Sequence, residues 1–349
     1  MFDENRSRRD VLRTAAGLGA VGAAASLSGC GSVESLLGGG GDQIALVPDA
    51  AESATYTDVN AVLDDGATER MVEVYIDEAS ERDYYDGPES YDEFRESFEE
   101  ETGLPLSEVK YQVSFSQYSD YGVVGDYSGT IVEAEWSEAA LVDAYEDEVD
   151  VDYEDRSYED GTLYVPEREY APTLGVVSEG TYVNGERAAV EDVLEVDAGD
   201  RDPLGDPKRS GYTDTRSAPV RFVGEMAPWV DGDFEGPDGQ EFSLEPLQET
   251  EYVAGSVYRS GDSRGAETTF HADDADTAAD VENIVSGYIS IVQGDEYTSE
   301  ELKTVLRETD VTRNGEEVVV NYEATVGELE ALFSGAIDDE DRTTASPDA

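Results

Sequence analysis

The chain has 349 residues, 38% of them hydrophobic, enough for two or three modest domains with real cores. It carries 84 Asp and Glu against 22 Lys and Arg, a formal net charge of -62, which excludes nucleic acid as a partner because phosphate binding needs concentrated Lys and Arg. One cysteine in the whole chain excludes internal disulfides and thiolate metal clusters.

The acids are not gathered in blocks. They are interleaved with Val, Ile, Leu, Tyr and Phe at regular spacings, which argues for a folded chain rather than the disorder that accompanies high charge at low hydrophobicity. In dilute buffer so many carboxylates repel one another and oppose compaction. At molar salt the screening length falls to about 3 Å, so the composition is that of a protein adapted to brine. The 21 tyrosines exceed the nine Phe and two Trp. They suit thin layers in which rings are buried and hydroxyls stay near water.

Residues 1–29 have the three parts of an export signal. Ser7-Arg8-Arg9-Asp10-Val11-Leu12-Arg13 is a twin-arginine box, residues 15–25 are Ala/Gly-rich and mildly apolar, and Leu27-Ser28-Gly29 leads into Cys30. The apolar part is shorter than the ~20 residues of a spanning helix, so the segment is an address and not part of the fold. Arg8 and Arg9 are the expected export signal. The motif resembles a lipobox, in which the cysteine sulfur carries a diacyl or dialkyl glycerol. Two chains hold a protein to a membrane where one is marginal. Cys30 is therefore the expected lipidation site. Residues 30–43, with Gly38-Gly39-Gly40-Gly41, are the expected flexible tether.

Residues 44–120 form a first predicted unit. A strand is expected at 54–59 and a helix over 68–76. A second helix starts at Ser90, boxed by Glu93, carries Phe94 and Phe98 on one face, and stops at Gly103-Leu104-Pro105. Residues 109–118 alternate as a strand. Residues 121–216 form a second unit. A hairpin over 121–135 is expected to turn at 126–129, and a helix from Ser137 buries Leu141, Ala144 and Tyr145. Hairpins follow at 153–165, turning at Asp160-Gly161, and at 174–183, turning at Glu179-Gly180. Asn184-Gly185 leads into a helix with Val190, Val193 and Leu194, and the Pro/Gly/Asp-rich residues 199–216 are expected to be a linker or edge loop.

Residues 217–337 form a third unit, with strands at 220–226, 252–258 and 267–271. The helix from Asp276 places Val281, Ile284, Val285, Tyr288, Ile289 and Val292 at a 3.6-residue period. A helix from Thr298, boxed by Glu301, precedes a hairpin over 310–322 that turns at Asn314-Gly315. Thr325, boxed by Glu328, opens a last helix with Leu329, Leu332 and Phe333. The charged residues 338–349 are an expected disordered tail.

Residues 137–194 and 299–333 repeat one order: helix, hairpin with a glycine turn, helix. Without strict βαβ alternation the expected fold is α+β, with repeated ferredoxin-like units, antiparallel sheets and helices packed on one face. The leader, the Gly tether and stretches such as Gly175-Val176-Val177 and Tyr182-Val183-Asn184-Gly185-Glu186-Arg187-Ala188-Ala189-Val190 resemble uncharacterised haloarchaeal twin-arginine-exported surface lipoproteins. That resemblance implies an address, the outer face of the cell membrane, and an α+β fold, but no reaction.

Candidate chemistry is sparse. Gly261-Asp262-Ser263-Arg264-Gly265 matches the G-x-S-x-G pattern, yet strand follows it where a hydrolase elbow needs a helix, and the sole histidine, His271, is expected to be a half-exposed strand residue. Asp231-Gly232-Asp233-Phe234-Glu235-Gly236 opens like a calcium loop, but Pro237 intrudes and Phe242 stands where a bidentate Glu is needed. Trp136 and Trp229 could stack on sugars or simply pack on a sheet. No cofactor or metal is expected. The expected partners are the membrane through Cys30 and an unidentified surface protein or solute. The expected role is non-enzymatic surface binding or structure. The alternatives are a transporter's solute-binding lipoprotein, built from two lobes with parallel sheets, and a carboxylate-dependent extracellular hydrolase.

Overall fold

The structure, a computed structural model, describes residues 43–80, 87–118, 124–168, 171–226, 233–235, 241–294, 298 and 300–331. Arg8, Arg9, Cys30, Trp229, Leu332, Phe333 and the tail 338–349 lie outside the described residues. Strand β1 (Ser53–Asp58) ends at a carboxylate that accepts from the Ala61 amide at 2.9 Å and so caps α1 (Val59–Leu63). Next come α2 (Gly66–Ser80) and α3 (Tyr91–Thr102). Ser90 caps α3 by accepting from the Glu93 amide at 3.2 Å, and Gly103 closes it at φ 70°, where a side chain would be strained. The Glu93 carboxylate accepts from Glu89 N, at 2.7 Å.

A 3₁₀ turn, Leu106–Glu108, leads into β2 (Val109–Tyr118), which pairs with β3 (Val124–Ala134). The expected hairpin within 121–135 is corrected: its turn residues 126–129 lie inside β3. Helix α4 (Glu138–Val149), capped by Ser137, precedes β4 (Tyr153–Tyr158), β5 (Gly161–Pro166), β6 (Thr173–Ser178), β7 (Thr181–Gly185) and α5 (Arg187–Ala198). The expected linker contains a short helix, α6 (Lys208–Asp214), with Tyr212 buried. The rest is β8 (Val220–Gly224), β9 (Asp233–Glu235), β10 (Glu241–Ser243), α7 (Glu245–Gln248), β11 (Thr250–Ser260), β12 (Ser263–Ala272), α8 (Ala275–Gly294), α9 (Glu300–Glu308), β13 (Asp310–Asn314) and β14 (Glu317–Thr325), then helix from Val326.

The fold is α+β: twelve strands make one antiparallel sheet in the order β13-β14-β12-β11-β8-β1-β2-β3-β7-β6-β5-β4. The order is the same read outward from the β1–β8 pair in both directions. One way it runs β1, β2, β3, β7, β6 and the other β8, β11, β12, β14, β13, with β5 and β4 added at one edge. The sheet thus passes without a break through residues 44–120, 121–216 and 217–337. The ferredoxin-like expectation is corrected, because β1 and β2, which flank α1–α3, lie side by side. A split βαβ unit interleaves another strand there.

Helices cover both faces, not one. On one face Ala54 aligns with Phe115 and Val223, and Val113 with Ile131, then Val183. This face packs on Ile44, Val47, Val190, Val193, Leu194 and Tyr212, that is, on the first described segment, α5 and α6. On the other face Gln112 aligns with Val132 and then Tyr182, beneath α1, α3 and α4. At the far end the same face carries Val318 under Ala278 and Val281 of α8, and Tyr322 beside Leu329. Two-sided burial explains β6, where Thr173 through Val177 are all buried, a continuous apolar run instead of an alternating one.

Candidate functional site

The roof of one sheet face is held off its floor by a few polar ties. The Tyr91 hydroxyl donates to the Leu63 carbonyl at 2.6 Å and locks α3 to the end of α1. Trp136 donates its indole N–H to the Pro105 carbonyl at 3.0 Å, and the Tyr182 hydroxyl donates to the Trp136 carbonyl. These bonds fix the entry to α4 while Phe98, Leu104 and Leu106 cap the other side. The floor is made of shorter side chains, Thr130 and Asn184 among them, and between roof and floor lies a cavity of about 80 Å³.

The walls are mainly apolar: Val59, Phe98, Leu106, Val132, Leu141 and Leu174. Burial pushes the Tyr145 phenol up, with a further push from Glu148, so it stays neutral. Among the described residues neither carboxylate nor imidazole lines the cavity. Most of its polar groups are engaged. Asn184 Nδ2 donates to the Thr130 carbonyl at 3.4 Å, and the Thr130 hydroxyl pairs with that of Ser114 at 3.2 Å. The Tyr145 hydroxyl and Gln112 are the exceptions. Gln112 is 6% exposed, yet its Nε2 has no hydrogen-bond partner among the described residues. Directly opposite it on β1 stands Thr57, 4% exposed, whose Oγ1 is equally unpartnered. A buried donor left unpaired costs about 1–3 kcal/mol, so this pair is an expense that packing alone does not explain.

The residues singled out from the sequence fall elsewhere. Arg8, Arg9 and Cys30 lie outside the described residues. Gly261 and Asp262 form the tight β11–β12 turn, with Ser260 paired to Ser263. Ser263 and His271 both lie on β12, eight positions apart, about 26 Å along an extended strand; they cannot act on one atom. His271 lies under the Tyr252 ring, centroids 4.1 Å apart, with Nδ1 3.6 Å from Glu317. Asp233, Phe234 and Glu235 are strand, and Asp231, Gly232, Gly236 and Pro237 lie outside the described residues. No group of three His, Cys, Asp or Glu placed to hold a metal occurs among the described residues. Every strand pair in the large sheet is antiparallel, unlike the two parallel-sheet lobes that the solute-binding alternative requires.

Sequence reasoning missed Gln112 because it sits at an even position of β2, where Tyr111, Val113 and Phe115 fill the odd, apolar ones; only a register shift after Val109 brings that valine onto its face. A signal was present. Between Lys110 and Tyr118 the even positions of β2 carry Gln112, Ser114 and Ser116, and facing β1 carries Ser53, Thr55 and Thr57, none of them acidic. In so acidic a chain a strand face without Asp or Glu is a face withdrawn from solvent.

No helix among the described residues is long and apolar enough to cross a membrane. No protein-family model matches the chain, and no curated protein matches it in sequence. Solved structures of TP0453 resemble it distantly. Crystal form III is 8% identical at a TM-score of 0.44, covering 84% of this chain and 98% of that one. Form I is 7% identical at 0.42, covering 84% and 97%, and form IV 8% identical at 0.41, covering 84% and 96%. Likeness at this distance carries nothing about function.

Proposed function

We propose that the chain is an extracytoplasmic lipoprotein of a halophile, anchored to the outer face of the membrane through Cys30, with a non-enzymatic ectodomain that binds or scaffolds. The observation that carries this reading is the placement of the lone cysteine. Cys30 follows a twin-arginine segment and Gly29, and only a short Gly-rich stretch separates it from Gln43, where the described fold begins. As a Gly-rich tether, its 12 residues would span about 20 Å, enough to hold the body just clear of lipid headgroups. Two features of the site support a binding role over a catalytic one. Among the described residues the cavity is lined by no carboxylate or imidazole, and the sole histidine is held in a ring stack.

Lipidation is tested by mass spectrometry of the native protein. The expected mature chain starts at Cys30 and carries the added mass of a two-chain glycerolipid. Cys30→Ser should release the protein into the medium or stall its maturation. An unmodified thiol on a chain retaining residues 1–29, or a mutant still attached to membranes, would overturn the anchor.

A further inference from the structure

The buried face under α3 and α4 holds two features that packing does not require: an apolar cavity of about 80 Å³ and the unpartnered Gln112 amide in its wall. We infer that this cavity is a binding site for a small, mainly apolar molecule, or the end of one, that bears a single hydrogen-bond acceptor of the carbonyl type, received by Gln112 Nε2. The inference deepens the binding reading of the ectodomain and rests on it, but not on the anchor.

The chemistry follows from what the walls offer. Asn184, Thr130, Trp136 and Tyr182 already have partners, so the fully buried Gln112 N–H, with the neutral Tyr145 hydroxyl in the same wall, is left to meet a guest. It is a neutral donor in a wall without charge, which selects an uncharged acceptor over a carboxylate or phosphate that would be desolvated without a counter-charge. Water satisfies the site poorly, since a buried water needs about two to four polar partners. The size is also restrictive. A cavity of about 150 Å³ holds benzene, so this one takes a group of a few non-hydrogen atoms. An isolated buried amide is also a means of selection. A guest with the oxygen regains the hydrogen bond, whereas the matching hydrocarbon leaves the donor unpaired.

The test uses the full-length protein in molar salt, with acetone and isobutane, four non-hydrogen atoms each, as probes. The readout is the side-chain amide resonances of Gln112 and Asn184, both in the cavity wall, with Asn184 alone serving in Gln112→Leu. Acetone should shift those resonances saturably, and isobutane should bind at least tenfold more weakly. Gln112→Leu should weaken acetone about tenfold and change isobutane less than twofold. No saturable shift in the wild type, a measurement that needs no variant to fold, would overturn the proposal. So would equal affinity for the two probes, or equal acetone affinity in Gln112→Leu. Cys30→Ser separates the two readings. Release from the membrane with ketone binding kept supports both, whereas membrane attachment of the mutant with ketone binding kept sinks only the anchor. A normal anchor with no ketone binding sinks only the cavity's role.

Discussion

Arg264, from the middle of the G-x-S-x-G match, shows what that motif is for in this chain. Its guanidinium is 4% exposed at the side chain and grips Asp65, 1% exposed, through Nε at 3.1 Å and through Nη2. Nη1 donates to the Gly261 and Ser263 carbonyls at 3.3 and 2.8 Å. The pair thus ties the β11–β12 turn to the start of α2, which belongs to the other half of the sheet order. Removing one partner strands a buried charge, so Asp65→Leu should cost about 3–5 kcal/mol, while Asp65→Leu with Arg264→Met should recover most of it. Urea midpoints in molar salt would check this; a double variant no more stable than the single one would contradict it. His271 supplies a second residue-scale prediction. Burial against Tyr252 holds its pKa below the ordinary 6.5, although Glu317, Asp214 and Glu251 pull it up. The folded form therefore binds protons less readily than the unfolded one. Its contribution is fully present above pH 6.5 and is lost as pH falls from there toward the depressed folded value. His271→Phe should flatten the loss of thermal stability between about pH 7.5 and about 5.5. An unchanged slope would show that acids alone set it.

At the scale of elements, what was legible was local and what was not was tertiary. Ser90 and Ser137 as caps, Gly103 as stop, and the Thr325–Glu328 box, with the Thr325 amide donating to Glu328 at 2.8 Å, are short-range chemistry written in adjacent residues. The turn expected at 126–129 failed because Gly129 serves a distant neighbour. A Cβ there would stand 2.7 Å from the Phe115 ring, so the glycine exists to let that ring lie across β3. Gly161 likewise starts β5 instead of turning before it, because a Cβ would meet the Val176 carbonyl at 2.5 Å. Helix α6 was missed for the same reason. Seven residues give no periodicity, and its place is set by Gly211, under the Tyr252 ring, and by Arg221 lying 4.0 Å over the Tyr212 ring. The cavity was illegible because its roof and floor meet only after the sheet is assembled. Gly129→Ala should therefore destabilise by about 1–3 kcal/mol through overpacking, and Phe115→Leu should relieve part of that. Denaturation midpoints of the three variants would decide. A neutral Gly129→Ala would show that the ring has room to move.

The whole molecule must balance 84 acids with 22 Lys and Arg, and its ion pairs cannot do so. Pairs such as Lys110–Glu133 at 3.2 Å and Arg187–Glu191 at 2.7 Å are largely exposed, where a pair contributes about 0–1 kcal/mol at most. The tightest cluster, Arg201 with Asp49, Asp192 and Glu195, sets one cation against three carboxylates. Burial pushes the Asp192 carboxyl up despite that cation, so even here repulsion and desolvation are incompletely offset. A net charge of -62 on a fold of this size is compatible with compaction only where the field of each carboxylate dies within a side chain's width. That holds at about 1 M salt, where screening acts over about 3 Å, and fails at about 0.01 M, where it reaches about 30 Å. Dialysis from molar KCl into dilute buffer should therefore abolish native circular dichroism, and the midpoint in KCl should rise continuously with concentration. NaCl at equal ionic strength should act alike if screening is the cause. A sharp thermal transition retained in dilute buffer would mean that the fold withstands its own charge, and that the acids serve some purpose other than life in brine.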